Sequence, residues 1–134
     1  MEAIRWNHDA LSLLDQTRLP LEERWLPCTD YRQVVRAIRT MVVRGAPAIG
    51  VAAAYATVLA AREGAGTPDF AAFMARAQEE LASSRPTAVN LFWALDRMEA
   101  CWRAWGPDLP RLEREAQAIH REDLEMNRAM GRYG

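Results

Sequence analysis

The spacing of apolar residues divides the chain into two regions. In the first region, apolar side chains recur at every second position over short stretches, as in Ile4-x-Trp6 and Leu11-x-Leu13, and again around Trp25-Leu26. A period of two is typical of strands. We therefore predict two or three short strands within residues 1–29, forming one small antiparallel sheet, with Pro27 marking the end of the last strand.

From residue 30 onward the apolar positions follow a helical period. The first helix is expected to begin behind Thr29 or Asp30, which are suitable N-cap residues, and to end before Arg44-Gly45. Its apolar positions are Val34, Ile38, Met41 and Val42.

The second helix differs from the others because its centre is apolar on every face. Pro47 suits its first turn, and the helix should run to about Glu63. Residues 51–61 are rich in alanine, so neighbouring helices can approach closely from all sides. This pattern predicts a central helix surrounded by the rest of the domain.

Three further helices are predicted, each with one apolar face and each preceded by a break containing glycine, proline or serine. Their apolar positions are Phe70, Phe73, Met74, Ala77 and Leu81 in the third, Leu91, Leu95, Met98, Trp102 and Trp105 in the fourth, and Leu112, Ala116, Ile119, Met126 and Met130 in the fifth, after Pro110. The tryptophans are assigned to the core. A small sheet over residues 1–29 followed by about five helices over residues 30–134 is an α+β arrangement.

Composition restricts the classes of function. The chain has 134 residues, 50% of them hydrophobic and 26% charged, which suits a single globular domain. The net charge of -1 excludes the overall positive field of a non-specific nucleic-acid binder. The longest uncharged run, residues 45–61, is shorter than the ~20 apolar residues that span a bilayer. We expect neither nucleic acid nor a membrane as a partner.

The sequence offers few groups for metal or nucleophilic chemistry. His8 and His120 stand apart from other metal ligands, so we expect no metal site. Cys28 and Cys101 are distant from each other and lie among apolar residues, where thiols are usually unreactive. Together with a first segment that does not resemble a secretory leader, they favour a reducing cytoplasm. No catalytic residue is predicted.

The segment from Arg44 to Gly50 is the first candidate binding site. A helix that starts at Pro47 leaves free N–H groups at its first turn, and Gly45 and Ala46 lack the bulk to keep an anion away from them. Arg44 would add a planar guanidinium that matches phosphate oxygens. Residues 31–62 contain five arginines and no acidic residue, which points to the same place. Alternatively, the arginines of the first helix form a solvated face and Gly45 ends a helix.

Arg85 is the second candidate. Pro86 favours an extended conformation at Arg85, which would aim one guanidinium from a fixed backbone, towards the same ligand as Arg44. The alternative is an ordinary helix start with Pro86 in the first turn.

Two long motifs identify a resemblance. Residues 38–55, IRTMVVRGAPAIGVAAAY, and residues 85–91, RPTAVNL, resemble the N-terminal domain of the S-methyl-5-thioribose-1-phosphate isomerases, within the initiation-factor-2B-like family. The segments IRW at residues 4–6 and LDQTRLP at residues 14–20 are similar as well. The likeness extends over the whole chain.

The resemblance implies a specific activity. These enzymes of methionine salvage convert S-methyl-5-thioribose 1-phosphate to S-methyl-5-thioribulose 1-phosphate without a cofactor. The family's substrate contacts correspond to Arg44, Gly45, Ala46 and Arg85. The resemblance also implies a cytoplasmic homodimer.

One departure from the family concerns catalysis. The family's catalytic cysteine and aspartate belong to a following Rossmann-like domain, and neither Cys28 nor Cys101 matches the cysteine motif. We therefore expect these residues to be the N-terminal domain of a longer, two-domain isomerase, and to be inactive alone. The alternatives are a non-enzymatic interaction domain of an initiation-factor-2B-like protein, or an isomerase for another pentose 1-phosphate.

Overall fold

The structure, a computed structural model, describes residues 3–15, 17, 21–43 and 45–133, with backbone only for Ala46 and residues 126–133. Three strands precede five helices within these residues. The elements are β1 (Ile4–Trp6), β2 (Leu11–Leu14), β3 (Trp25–Cys28), α1 (Tyr31–Arg39), α2 (Ala46–Gly64), α3 (Phe70–Ser84), α4 (Val89–Trp105) and α5 (Leu109–Tyr133). The predicted α+β arrangement is confirmed.

The strands form an antiparallel sheet in chain order, in which Leu13 of β2 pairs with Ile4 on one side and with Leu26 on the other. Pro27 lies inside β3, opposite Ser12, and does not end the strand as the sequence suggested. Proline fits there because β3 is an edge of this sheet, where one side of the strand needs no ladder hydrogen bonds.

Helix α1 is shorter than the sequence predicted. It begins as expected, with Asp30 as its N-cap, but it ends at Arg39. Met41 has a φ of 67°, which turns the chain, and the Val42 N–H then donates to the Ala37 carbonyl at 2.9 Å. Met41 is consequently outside the helical stripe and 45% exposed, whereas Val42 stays in the core.

Helix α2 is the centre of the domain, as predicted. Every residue from Val51 to Ala61 is buried, and each of the other four helices packs against α2. The small side chains permit a close approach to α4: a Cβ added at Gly50 would lie 2.9 Å from the Asn90 carbonyl oxygen. None of the helices in the described part of the chain is long and apolar enough to cross a membrane.

The apolar stripes of α3, α4 and α5 are mostly confirmed. The described stripe residues of α5 are all buried, and its helix starts at Leu109, one residue before the expected proline. Met126 and Met130 have side chains outside the described residues. The assignment of all tryptophans to the core is wrong for Trp93 and Trp105, which are 52% and 56% exposed. Trp105 is in the last turn of α4, where its ring meets the Arg111 guanidinium at 3.8 Å.

The sheet is joined to the helices through Trp6. Its ring stacks on Tyr55 of α2 with 4.7 Å between centroids, and its Nε1–H donates to Glu113 of α5 at 2.6 Å. Tyr55 continues the link, since its hydroxyl lies 2.8 Å from Nδ1 of His120. These contacts connect the sheet and α5 to each other and to Tyr55 of the central helix.

The close approach of α2 and α4 yields a prediction about stability. Gly50→Ala would place a methyl group against a backbone oxygen, so the helices must separate, and we expect a loss of about 1–3 kcal/mol in the free energy of unfolding. The matched control is Gly66→Ala, where the nearest atom to the added Cβ lies at 3.6 Å. Chemical denaturation of both variants measures the difference, and equal stabilities would contradict the packing argument.

Candidate functional site

The N-terminus of α2 is the first candidate site. Gly45 is its N-cap, with φ 93° and ψ 126°, a conformation that a side chain would strain. Within the described part of the chain, no side chain forms a cap hydrogen bond with this helix, and Pro47 occupies its first turn. Free N–H groups at such a terminus carry a partial positive charge. Ala46 is the first residue of this helix, and Arg44 lies outside the described residues.

Arg85 connects α3 to the segment before α4. Its backbone is extended, with φ -146° and ψ 80°, as expected before a proline. Pro86 does not lie in the first turn of α4, as the alternative of an ordinary helix start supposed, because α4 begins at Val89 with Ala88 as its N-cap. Among the described residues, the Arg85 Nη2 is a buried nitrogen that has no hydrogen-bond partner.

The N-terminal turns of α2 and α4 lie side by side. Gly50 is in the second turn of α2, and a Cβ there would contact both Asn90 and Ala94 in the first turns of α4. Both helices therefore begin at the same corner of the molecule. Arg85 precedes α4 by a few residues and therefore lies near this corner. Among the described contacts, this shared position is the only link between Arg85 and the α2 terminus.

The four arginines of residues 31–62 that the structure describes do not form a single charged site. Arg32 lies 3.1 Å from Glu63 and 3.2 Å from Asp30, and Arg62 lies 4.0 Å from Glu113. Arg36 and Arg39 are exposed on α1. The alternative of a solvated face thus accounts for α1, and the local charge count loses its weight as support for an anion site.

A cavity of about 330 Å³ lies beside the α2 terminus. Sequence reasoning missed it, because side chains of three helices that are far apart in the sequence, from Pro47 to Asp123, form it together. Its lining residues are Pro47, Gly50 and Val51 of α2, Asn90 and Trp93 of α4, and Ile119, Glu122 and Asp123 of α5. The sequence contained one signal of this cavity: Trp93 is a large apolar residue that falls outside the buried stripe of α4.

The two carboxyl groups of the cavity differ in their surroundings. Arg97 of α4 holds Glu122 with hydrogen bonds of 2.9 and 2.7 Å, and they lower the pKa of Glu122. Burial raises the pKa of Asp123, and the neighbouring His120 opposes that shift. Arg97 also donates to Glu115 at 2.7 Å, so this side chain clasps α5 against α4.

Both cysteines, Cys28 and Cys101, are poor candidates for a reactive group. Burial raises the pKa of Cys28 to about 11, and burial also raises the pKa of Cys101. Both are thiols that resist ionisation at neutral pH, in agreement with an unreactive role. No group of three or more His, Cys, Asp or Glu side chains suited to a metal ion occurs in the described part of the chain.

Comparison with known sequences gives a family and named relatives. The model of the Initiation factor 2 subunit family matches residues 42–134. A methylthioribose-1-phosphate isomerase of Thermosipho melanesiensis is 51% identical over 98% of this chain and 39% of its own length. One from Thioalkalivibrio sulfidiphilus is 54% identical over 100% of this chain and 39% of its own length. The chain thus spans about two-fifths of these relatives.

Solved structures share the fold. The delta subunit of the translation initiation factor eIF-2B from A. fulgidus superposes with a TM-score of 0.85 at 36% identity, covering 93% of this chain and 38% of that one. The 5-methylthioribose 1-phosphate isomerase of Pyrococcus horikoshii gives a TM-score of 0.70 at 31% identity, covering 92% and 35%. The resemblance stated from the two motifs is confirmed.

The Arg97 clasp yields a second stability prediction. Arg97→Met removes two carboxylate contacts between α4 and α5, and because these pairs are partly exposed we expect a loss of about 1 kcal/mol. Arg103→Met is the matched control, since Arg103 pairs only with Glu99 within α4 among the described residues. Urea denaturation compares them. A loss no larger for Arg97→Met than for the control would mean that the clasp adds nothing.

Proposed function

Because the chain belongs to the Initiation factor 2 subunit family, and the two bacterial relatives named above are isomerases, we propose that it is the substrate-binding, N-terminal part of a methylthioribose-1-phosphate isomerase. The enzyme would convert S-methyl-5-thioribose 1-phosphate to its ketose isomer in methionine salvage. Identity of 51–54% over nearly the whole chain supports this assignment.

The proposed role of this part is to bind the phosphoryl group. Arg85 would supply a guanidinium fork, and the backbone at Gly45 and Ala46 would supply N–H donors from the mouth of α2. Arg44, which precedes Gly45 in sequence, would add a second guanidinium. A doubly charged phosphoryl group needs several such donors, and charge-assisted bonds contribute about 1.5–3 kcal/mol each.

One observation of the structure carries the proposal: the buried Arg85 Nη2 has no hydrogen-bond partner among the described residues. A buried donor without a partner costs about 1–3 kcal/mol, and more when the group is charged. Such a cost is offset when an anion binds. The free N–H groups of α2 begin at the same corner of the molecule, and in this proposal they bind the same anion as Arg85.

The rest of the enzyme is part of the same proposal. The chain spans 39% of the relatives' length, and a Rossmann-like C-terminal domain would supply the catalytic cysteine and aspartate. Residues 1–134 alone would then bind the sugar phosphate weakly and convert none. A cytoplasmic homodimer completes the proposal, and its support is the family resemblance.

A regulatory domain of an initiation-factor-2B-like protein is the second candidate. The A. fulgidus delta subunit favours it by superposing with the higher TM-score, 0.85 against 0.70. Sequence favours the isomerase, since the identity with that subunit is 36%, whereas the bacterial isomerases reach 51–54%. Backbone shape is shared across a family, and side chains decide the activity.

The proposal predicts how the complete natural protein responds to loss of Arg85. Arg85→Met should raise the KM for methylthioribose 1-phosphate about 10- to 100-fold, because a charge-assisted contact with the phosphoryl group is lost. Arg85→Lys should give an intermediate KM, since it keeps the charge but not the fork. Steady-state kinetics measures both.

Arg76→Met is the control for this experiment, because Arg76 is an exposed arginine of the preceding helix. Circular dichroism checks that each variant is folded. An Arg85→Met enzyme with the kinetics of the Arg76→Met enzyme would remove Arg85 from the site. A complete natural protein that is folded and does not isomerise this substrate would favour the regulatory domain.

A further inference from the structure

The cavity between α2, α4 and α5 differs in character from the phosphoryl site proposed beside it. Trp93, Val51 and Ile119 give it an apolar wall, and Glu122 and Asp123 add two carboxyl groups. Glu122 is a charged carboxylate, since Arg97 stabilises its ionised form. Arg97 is already held by the carboxylates of Glu122 and Glu115, so an uncharged, apolar group fits this wall better than a phosphoryl group does.

The cavity opens next to the mouth of α2. Pro47 belongs both to the first turn of α2 and to the cavity wall, and Val51 lies one turn deeper. From Gly45 to Val51 the helix rises about 9 Å at 1.5 Å per residue. A ligand held by its charged end at Gly45 can therefore reach the apolar wall with its other end.

The substrate named for the relatives has matching ends. Methylthioribose 1-phosphate carries a doubly charged phosphoryl group at one end of the pentose and an uncharged methylthio group at the other. Its ring hydroxyls can donate hydrogen bonds to carboxyl groups. A thioether also makes favourable contacts with aromatic rings, which ribose 1-phosphate with its 5-hydroxyl cannot make.

On the basis of the proposed function, we propose that this cavity is the subsite for the methylthio end of the sugar phosphate and that Trp93 is the residue that selects it. The indole ring contacts the thioether, Val51 and Ile119 complete the apolar wall, and the carboxyl groups of Glu122 and Asp123 face the ring hydroxyls. This assigns the discrimination between methylthio and hydroxyl substrates to the N-terminal part of the enzyme.

The exposure of Trp93 agrees with a role in binding. Its side chain is 52% exposed, and its guanidinium neighbour, Arg97, lies 5.6 Å from the ring centroid. Trp105 provides a matched control on the same helix. It is 56% exposed, it also lies against an arginine, and it does not line the cavity.

The experiment uses the complete natural protein with two substrates, methylthioribose 1-phosphate and ribose 1-phosphate. The readout is the ratio of their kcat/KM values. Trp93→Ala should lower this ratio at least tenfold, chiefly by raising the KM for the methylthio substrate, because an apolar pocket discriminates small groups by about 10- to 200-fold. Trp93→Phe should keep most of the ratio, and Trp105→Ala should keep all of it.

Two results would overturn the inference and leave the proposed function standing. One is a Trp93→Ala enzyme whose ratio equals that of Trp105→Ala. The other is an equal loss of kcat/KM for both substrates, which would assign Trp93 to packing against another part of the protein. A folded wild-type protein that turns over neither substrate would instead refute the proposed function, and this inference with it.

Discussion

The close packing of α2 is the constraint on which the rest of the structure depends. A helix that is apolar on all faces must be surrounded, and its small side chains set how closely the neighbours approach. Gly50 marks a close approach of two backbones, because a Cβ there would lie 2.9 Å from the Asn90 carbonyl oxygen. At this point the first turns of α2 and α4 come together, and with them the corner that contains Arg85.

The same packing separates two chemical environments. At the mouth of α2, free N–H groups and the partnerless Arg85 Nη2 favour negative charge. One turn deeper, the cavity presents apolar side chains beside the carboxylate of Glu122. These surroundings disfavour a further negative charge. A ligand with one charged and one apolar end would be oriented by this contrast alone, before any reacting group acts on it.

The count of charged residues along the sequence was a poorer guide to the binding site than their positions in the structure. The excess of arginine in residues 31–62 suggested one anion site, yet Arg32 is neutralised by Glu63 and Arg62 lies near Glu113, a residue far away in sequence. Trp93 and Trp105 were misassigned to the core for a related reason. Hydrophobicity predicts burial, but Trp93 and Trp105 lie over arginine side chains at the surface, where indole is stable against a guanidinium.

Local patterns alone determined the elements of this protein: the alternation of Ile4-x-Trp6, the Asp30 cap and the alanine-rich Val51–Ala61 segment each specify their own backbone. Motif similarity determined the family. Only the tertiary structure decided that α1 stops at Arg39 and that three distant helices enclose a cavity. The physical reason is that periodicity and capping act over a few residues, whereas a cavity depends on how far apart packed helices come to rest.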